Sequence, residues 1–424
     1  CARGERVSSV RYIWTAFVCA AWLHGCSSAK PDAADSGMGG RPADAGMSQP
    51  TPDAQGGAGS GPAHAGVTAG AAGEPTMEAG GSAAVPSGAA GAAGSLAAPS
   101  CTLATEDLGV AGADRAGYPP YAASGCILLY VAGDGSLRLR ALANGDETLL
   151  APASEQPSRP TLAGPADDPA RVIAWESGST HSVQVRFAGA TREVRGTYAR
   201  SGQPRACANA VVLSGFHTQA ADSDADILLY DPQTQAISVV GGGPGQQLFA
   251  DVSETRIAYS DFAEDPDGRF DNDGRDLADL VLVDRATGEP HKLQLAGKQA
   301  FPLFGSDGSL VYLHWEVGHP EPKLAAYAIM NWDTRLDRQR QLARVETQPP
   351  YVRPSVYGAT VEWVERPYDG AERLMRVDMQ GVNPRTAFSM PGVQLYATAS
   401  SASATLLAVQ TPDQLSPRLR AIAR

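Results

Sequence analysis

The sequence predicts an all-β chain built on a single β-propeller, seven-bladed, behind an export signal and a disordered tether. Three observations predict it. Seven short apolar runs recur along the chain; with residues 129, 174, 212, 258, 312, 362 and 408 as anchors, the steps are 45, 38, 46, 54, 50 and 46 residues. From residue 126 onward helical periodicity is nearly absent, and β-type runs alternate with Asp- and Gly-bearing turns. Residues 31–100 are of another kind: 51 of those 70 are Gly, Ala, Pro or Ser, and none is aromatic. Such a segment cannot bury enough apolar surface to offset its ordering entropy. The 424 residues therefore divide into 1–26, 27–100 and a folded unit, 101–424.

The first element is a targeting signal. Arg3, Arg6 and Arg11 form a basic start, and Tyr12 to Leu23 is an uncharged, mostly apolar run of 12 residues. That is too short to span a bilayer as a helix and right for the apolar part of a signal peptide. It ends in Leu23-His24-Gly25-Cys26, which resembles the lipobox of bacterial lipoproteins. The resemblance implies that Cys26 becomes the first mature residue and carries the lipid; two or more acyl chains give stable membrane anchoring. Ser27 after it fits sorting to the outer membrane. An ordinary cleaved signal peptide, and an uncleaved anchor or cytoplasmic protein, are the alternatives.

The second element, 27–100, is a Gly-rich coil of 74 residues. Its r.m.s. span is roughly 45–50 Å, enough to hold a folded head away from a lipid surface. Ser27-Ser28-Ala29-Lys30 has the Ser-x-x-Lys spacing of penicillin-binding enzymes but no partner motif, and the Gly runs at 56–61 and 241–245 lack the Gly-Lys-Ser/Thr of a phosphate loop.

The third element repeats. The anchor runs include Ile127-Leu128-Leu129-Tyr130, Val172-Ile173-Ala174-Trp175, Ile257-Ala258-Tyr259 and Val361-Glu362-Trp363. A second run follows, such as Asp226 to Asp231, Asp279 to Asp284 or Arg373 to Asp378, then a tight turn and a third strand. Asp at the start of such a turn accepts backbone N–H groups, and Gly supplies positive φ. One unit of three or four short strands every ~46 residues is the sign of a propeller: a lone blade cannot bury both faces of its sheet, whereas a closed ring does. Arg418 to Ile422 leaves the last blade incomplete, so residues near 102–125 are expected to supply the missing strand and latch the ring. Six blades remain open if 126–142 only complete the last blade.

Phe304-Gly305-Ser306-Asp307-Gly308-Ser309-Leu310-Val311-Tyr312 resembles the element that opens TolB-like propeller repeats. So does Pro354 to Trp363 followed by Leu374 to Asp378, and Ile257-Ala258-Tyr259-Ser260 followed by Asp279 to Gly288. The resemblance covers about residues 126–410 and implies the fold; propellers host binding modules, scaffolds and enzymes alike.

Chemistry is harder to find. Net charge is −12, which disfavours nucleic acid as a partner. The seven histidines form no metal-binding pair, and no Gly-x-Ser-x-Gly elbow occurs. No catalytic residue is assigned. The reading is an exported, lipid-anchored, monomeric propeller that acts as a binding or scaffold module in the cell envelope, on a protein or glycan. The alternative is a propeller enzyme acting on a carbohydrate, of lyase or glycosidase type.

Two expectations concern structure-stabilising sites. In an oxidising compartment one disulfide is expected among Cys101, Cys126 and Cys207. Cys126 and Cys207 hold similar places two blades apart, too far to pair; Cys101 pairs with Cys126, or alternatively with Cys207. The segment 261–279 carries eight acids and two arginines. Its core, Asp271-x-Asp273-Gly274-x-Asp276, with Asp265, Asp267 and Asp279 around it, has the carboxylate density of a calcium loop. A solvated acidic insertion pinned by arginines is the plain alternative.

Overall fold

The computed structural model describes residues 108–424, apart from 114–117, 165–167, 169, 221, 271–276, 317–325, 347–352, 369, 382 and 402–403. Six four-stranded antiparallel sheets and one three-stranded sheet follow one another along the chain. The first is β1 (Tyr121–Ser124), β2 (Ile127–Val131), β3 (Leu137–Ala141) and β4 (Glu147–Ala151). The second runs from β5 (Pro157–Ala163) through β6 (Val172–Ser177) and β7 (Ser182–Phe187) to β8 (Ala190–Val194). The third comprises β9 (Arg200–Cys207), β10 (Ala210–Phe216), β11 (Ala225–Tyr230) and β12 (Ile237–Gly241); the fourth comprises β13 (Gln247–Val252), β14 (Arg256–Asp261), β15 (Asp279–Asp284) and β16 (Pro290–Leu293). The fifth holds β17 (Lys298–Phe304), β18 (Leu310–Trp315), β19 (Ala326–Asp333) and β20 (Arg338–Glu346), and the sixth β21 (Ser355–Tyr357), β22 (Thr360–Glu365), β23 (Arg373–Asp378) and β24 (Arg385–Ser389). The last is β25 (Gln394–Ser400), β26 (Ala404–Gln410) and β27 (Arg418–Ala423).

The first strand of each sheet touches the first strand of the next, and β25 touches β1, so the sheets close into a seven-bladed ring. Each anchor lies in the second strand of its blade. These strands are buried on both faces, β2 and β10 along their whole length, because one face meets the preceding blade and the other the following one. That is why they read as unbroken apolar runs. Fourth strands such as β8 and β12 are largely exposed and carry little pattern.

Closure uses both ends of the folded unit. Gly109 bridges Arg418 and Val110 bridges Ala132, and the Leu419 N–H donates to the Leu108 carbonyl at 2.9 Å. The N-terminal segment thus lies along the open edge of β27, as the incomplete last blade required. Residues 121–151 form a blade of their own, which excludes the six-bladed alternative. Tyr121, fully buried, fastens the same seam from the inside: its hydroxyl donates to the Ala397 carbonyl and accepts the Ala408 N–H. The expected turn chemistry is present as well. Asp284 Oδ1 accepts the N–H groups of Ala286 and Thr287 at 2.8 and 3.1 Å, and those bonds hold its carboxyl below the usual range. No helix among the described residues is long and apolar enough to cross a membrane.

Candidate functional site in the axial channel

Five of the seven first strands that line the axis share an irregularity; β1 and β21 pair without it. Pairing with the second strand slips between Ser158 and Thr161, between Leu248 and Asp251, between Ala300 and Leu303, and between Leu395 and Thr398. It slips again where β9 meets β10, between Val212 and Ser214. In four of these bulges a residue with a side chain takes the left-handed conformation: Arg159 (φ 48°), Gln203 (φ 56°), Phe249 (φ 59°) and Phe301 (φ 61°). Each costs about 1–2 kcal/mol relative to right-handed backbone. A bulge re-aims side chains out of the pleat, and here it does so next to the axis in consecutive blades.

Inside lies a cavity of about 190 Å³ to which the first strands of all seven blades contribute. Its charged lining residues are Arg159, Arg205, Arg353 and Asp251. Arg353, in the segment leading into β21, is 6% exposed. Its guanidinium centre is 4.4 Å from the Tyr118 ring centroid, 4.9 Å from that of Phe249 and 4.7 Å from that of Phe301. The two phenylalanines do not line the cavity, whereas Arg353 and Tyr118 do. Both phenylalanines belong to a cluster with Phe262, Phe270 and Trp315. Burial pushes the Arg353 pKa down to about 10, against a smaller opposing effect of Tyr118.

The other two arginines flank the same ring: the Arg205 centre is 5.3 Å and the Arg159 centre 5.1 Å from the Tyr118 centroid. Arg159 is engaged, with Nη1 at 2.9 Å from Glu176 Oε1. Glu176 also accepts the Gln203 N–H, and Gly202 makes room for it, since a Cβ there would stand 2.7 Å from Oε1. Arg205 Nε, Arg353 Nε and Nη1, and the Tyr118 hydroxyl are buried without a hydrogen-bond partner. Asp251 Oδ2 accepts the Phe304 N–H at 2.7 Å. Burial holds its carboxyl above the usual range although Arg205 and Arg353 pull the other way. Three hydroxyls line the same cavity: Ser355 Oγ is 2.7 Å from Thr398 Oγ1 and 2.8 Å from Ser400 Oγ.

The sites expected from sequence lie elsewhere. Cys26 and Cys101 fall outside the described residues. Cys126 is disulfide-bonded and Cys207 is a free thiol, so the Cys101–Cys207 alternative is not the arrangement seen. Of the acidic insertion, Asp271, Asp273 and Asp276 lie outside the described residues. Asp265 accepts the N–H groups of Asp267 and Leu277, and Asp267 that of Arg269. Asp279 pairs with Lys292 at 2.9 Å, and the same ammonium reaches Glu264 at 2.9 Å and Asp261 at 3.7 Å. A lysine gathers this side of the loop, while Arg269 reaches across to Asp222 at 3.1 Å. Among the described residues no group of three His, Cys, Asp or Glu is placed to hold a metal ion.

No family model and no curated protein matches the chain. Solved structures do. A puromycin hydrolase superposes with a TM-score of 0.53 at 15% identity, over 73% of this chain and 54% of that one. An oligogalacturonate lyase solved in complex with manganese gives 0.51 at 13% identity, over 70% and 85%. TolB from Acinetobacter baumannii gives 0.40 at 14% identity, over 60% of each chain, so the match spans under two thirds of that protein. Its fold neighbours are TolB-like and related β-propellers. At these identities the likeness establishes the fold and leaves the activity to be argued from the site.

Proposed function

We propose that this TolB-like propeller is an exported, lipid-anchored binding or scaffold module of the cell envelope, and that it engages its ligand at the axial cavity. One observation carries the choice of site: Tyr118, Arg205 and Arg353, from separate parts of the ring, all line that cavity, and each has a buried polar atom without a hydrogen-bond partner. A satisfied core would have paired them. The anchor rests on Cys26 and the run before it. The test is affinity capture of the lipidated protein from an envelope extract, with a glycan screen in parallel. Specific recovery of one protein or glycan, lost on blocking the cavity, is the expected result. Recovery of the chain wholly in the soluble fraction, without lipid on Cys26, removes the anchor.

A second reading, a carbohydrate-directed enzyme, is favoured by Asp251, a buried carboxylate with a raised pKa beside two arginines. Glycoside cleavage requires a carboxylate pair, and Asp251 is the one carboxylate lining the cavity among the described residues. Within this reading the lyase type therefore fits better than the glycosidase type. Incubation with uronate-containing oligosaccharides, watched for an unsaturated product, decides it. The Cys101–Cys126 disulfide is part of the proposal, and peptide mapping without reduction checks it.

A further inference from the structure

We infer that the axial cavity binds a small oxyanion, a carboxylate or phosphate group on a small molecule, between the guanidinium groups of Arg353 and Arg205. The inference rests on the axial cavity being the ligand site and adds the chemistry of what it takes.

Charge is the first argument. A buried guanidinium is tolerated only if something answers its charge and its N–H groups. Tyr118, Phe249 and Phe301 answer the charge of Arg353 through their ring faces. Ring faces do little for in-plane N–H groups, and Nε and Nη1 meet no acceptor. Arg205, whose guanidinium centre is 5.3 Å from the same Tyr118 ring centroid, also has its Nε without an acceptor. Arg159 does not count toward the site, because Glu176 neutralises it.

Asp251 is the internal counter-charge; it acts on both arginines, but without a direct ion pair to either. Its Oδ2 is directed to the Phe304 N–H, and neither Arg205 nor Arg353 makes an ion pair with it. Two guanidinium groups against one carboxylate leave the cavity with an excess of positive charge and with donors in the fork geometry that suits carboxylate and phosphate.

Size and lining set the class of molecule. A cavity of about 190 Å³ is small beside the ~300–1,000 Å³ of pockets that hold drug-sized ligands. A polymer cannot enter whole; a small molecule or the end residue of a chain can. Ser355, Thr398 and Ser400 line the same volume and offer hydroxyls to a polar body attached to the anion.

The test is calorimetric titration of the full-length protein in detergent with three probes: galacturonate, inorganic phosphate and neutral galactose. Binding of galacturonate alone identifies a carboxylate ligand, binding of phosphate alone a phosphate ligand, and binding of both a general oxyanion site. Arg205→Gln, at a half-buried position, is expected to weaken binding roughly tenfold, the scale of one charge-assisted hydrogen bond. Asp251→Asn is expected to strengthen it severalfold. Arg353→Gln is expected to abolish it, with circular dichroism to confirm folding; if that variant does not fold, Arg205→Gln decides. No binding of either anion at millimolar concentration, or galactose binding as well as galacturonate, overturns the inference. A specific envelope partner captured in the absence of anion binding would leave the binding-module reading intact and remove only this one.

Discussion

Glu362 and Arg353 lie nine positions apart around the sixth blade, both inside the protein, and they are treated in opposite ways. Glu362 in β22 is 0% exposed. Arg376 Nε donates to it at 2.6 Å and Arg424 Nη2 at 3.1 Å. Ser400 and Thr405 donate from the last blade at 2.7 and 2.5 Å. The carboxylate is satisfied on every side, and it joins blade six, blade seven and the final residue of the chain. Arg353 has three ring faces and open donors. A buried charge that is fully answered holds structure together; one that is answered only in part is available to something else.

The comparison can be broken. Glu362→Gln leaves two guanidinium groups in the interior without their anion and is expected to cost about 3–5 kcal/mol, the range for opening one side of a buried ion pair. Denaturant unfolding measures it. Arg353→Met keeps the apolar stem and removes the unanswered donors, so its stability is expected to change by no more than about 1 kcal/mol, while anion binding disappears. Equal losses in the two variants would show that Arg353 is as structural as Glu362.

Acid sharpens the same contrast. Burial alone would raise the Glu362 pKa, but Ser400, Thr405 and the two arginines outweigh it and the carboxyl is held below the usual glutamate range. A depressed carboxyl stabilises the fold fully above its unfolded pKa, and that contribution is lost as pH falls through the lower folded value. The wild-type denaturation midpoint should therefore drop as pH falls below about 4.5, and Glu362→Gln should lack this component. Asp251 has the opposite sign. Its raised folded pKa means that stability falls as pH rises from the unfolded value through the folded one. Asp251→Asn should accordingly be more stable than wild type at pH 7 and about equal to it in acid. A variant less stable at pH 7 would show that Asp251 works as a counter-ion after all.

The smallest expected effect concerns the acidic insertion. We propose calcium there, held by Asp271, Asp273 and Asp276 with help from Asp265 and Asp267, while Asp279 stays with Lys292. Millimolar Ca²⁺ should raise the melting temperature by a few degrees over chelator, and Asp271→Asn/Asp273→Asn should remove the shift. No shift in the wild type assigns the loop to Lys292 and Arg269 alone.

What could be read in advance follows from which strands are buried on both faces. β2, β6, β10, β14, β18, β22 and β26 each sit between two neighbours, and their apolar runs gave the period and the blade number. The first strands gave nothing comparable. Pro160, Pro204 and Pro302 lie within β5, β9 and β17, and Pro354 just precedes β21. Together with the bulges they destroy the alternation that marks a strand. Proline is tolerated there because the axial edge has no further strand to pair with. A proline near the centre of the innermost strand in several repeats was the available signal, and Arg159, Arg205 and Arg353 are each adjacent to one.

The amino-acid sequence by itself determined the low-complexity composition of 27–100, the β class, the period and the need for an N-terminal latch, because each depends on composition or on local patterning of burial. Only the tertiary structure decided the site. Arg205, Asp251 and Arg353 come from three different blades and are separated by up to 148 positions. Their meeting depends on ring closure and, for Arg205 and Asp251, on bulges in β9 and β13. No local pattern encodes that convergence, since each residue alone reads as an ordinary polar position in a loop.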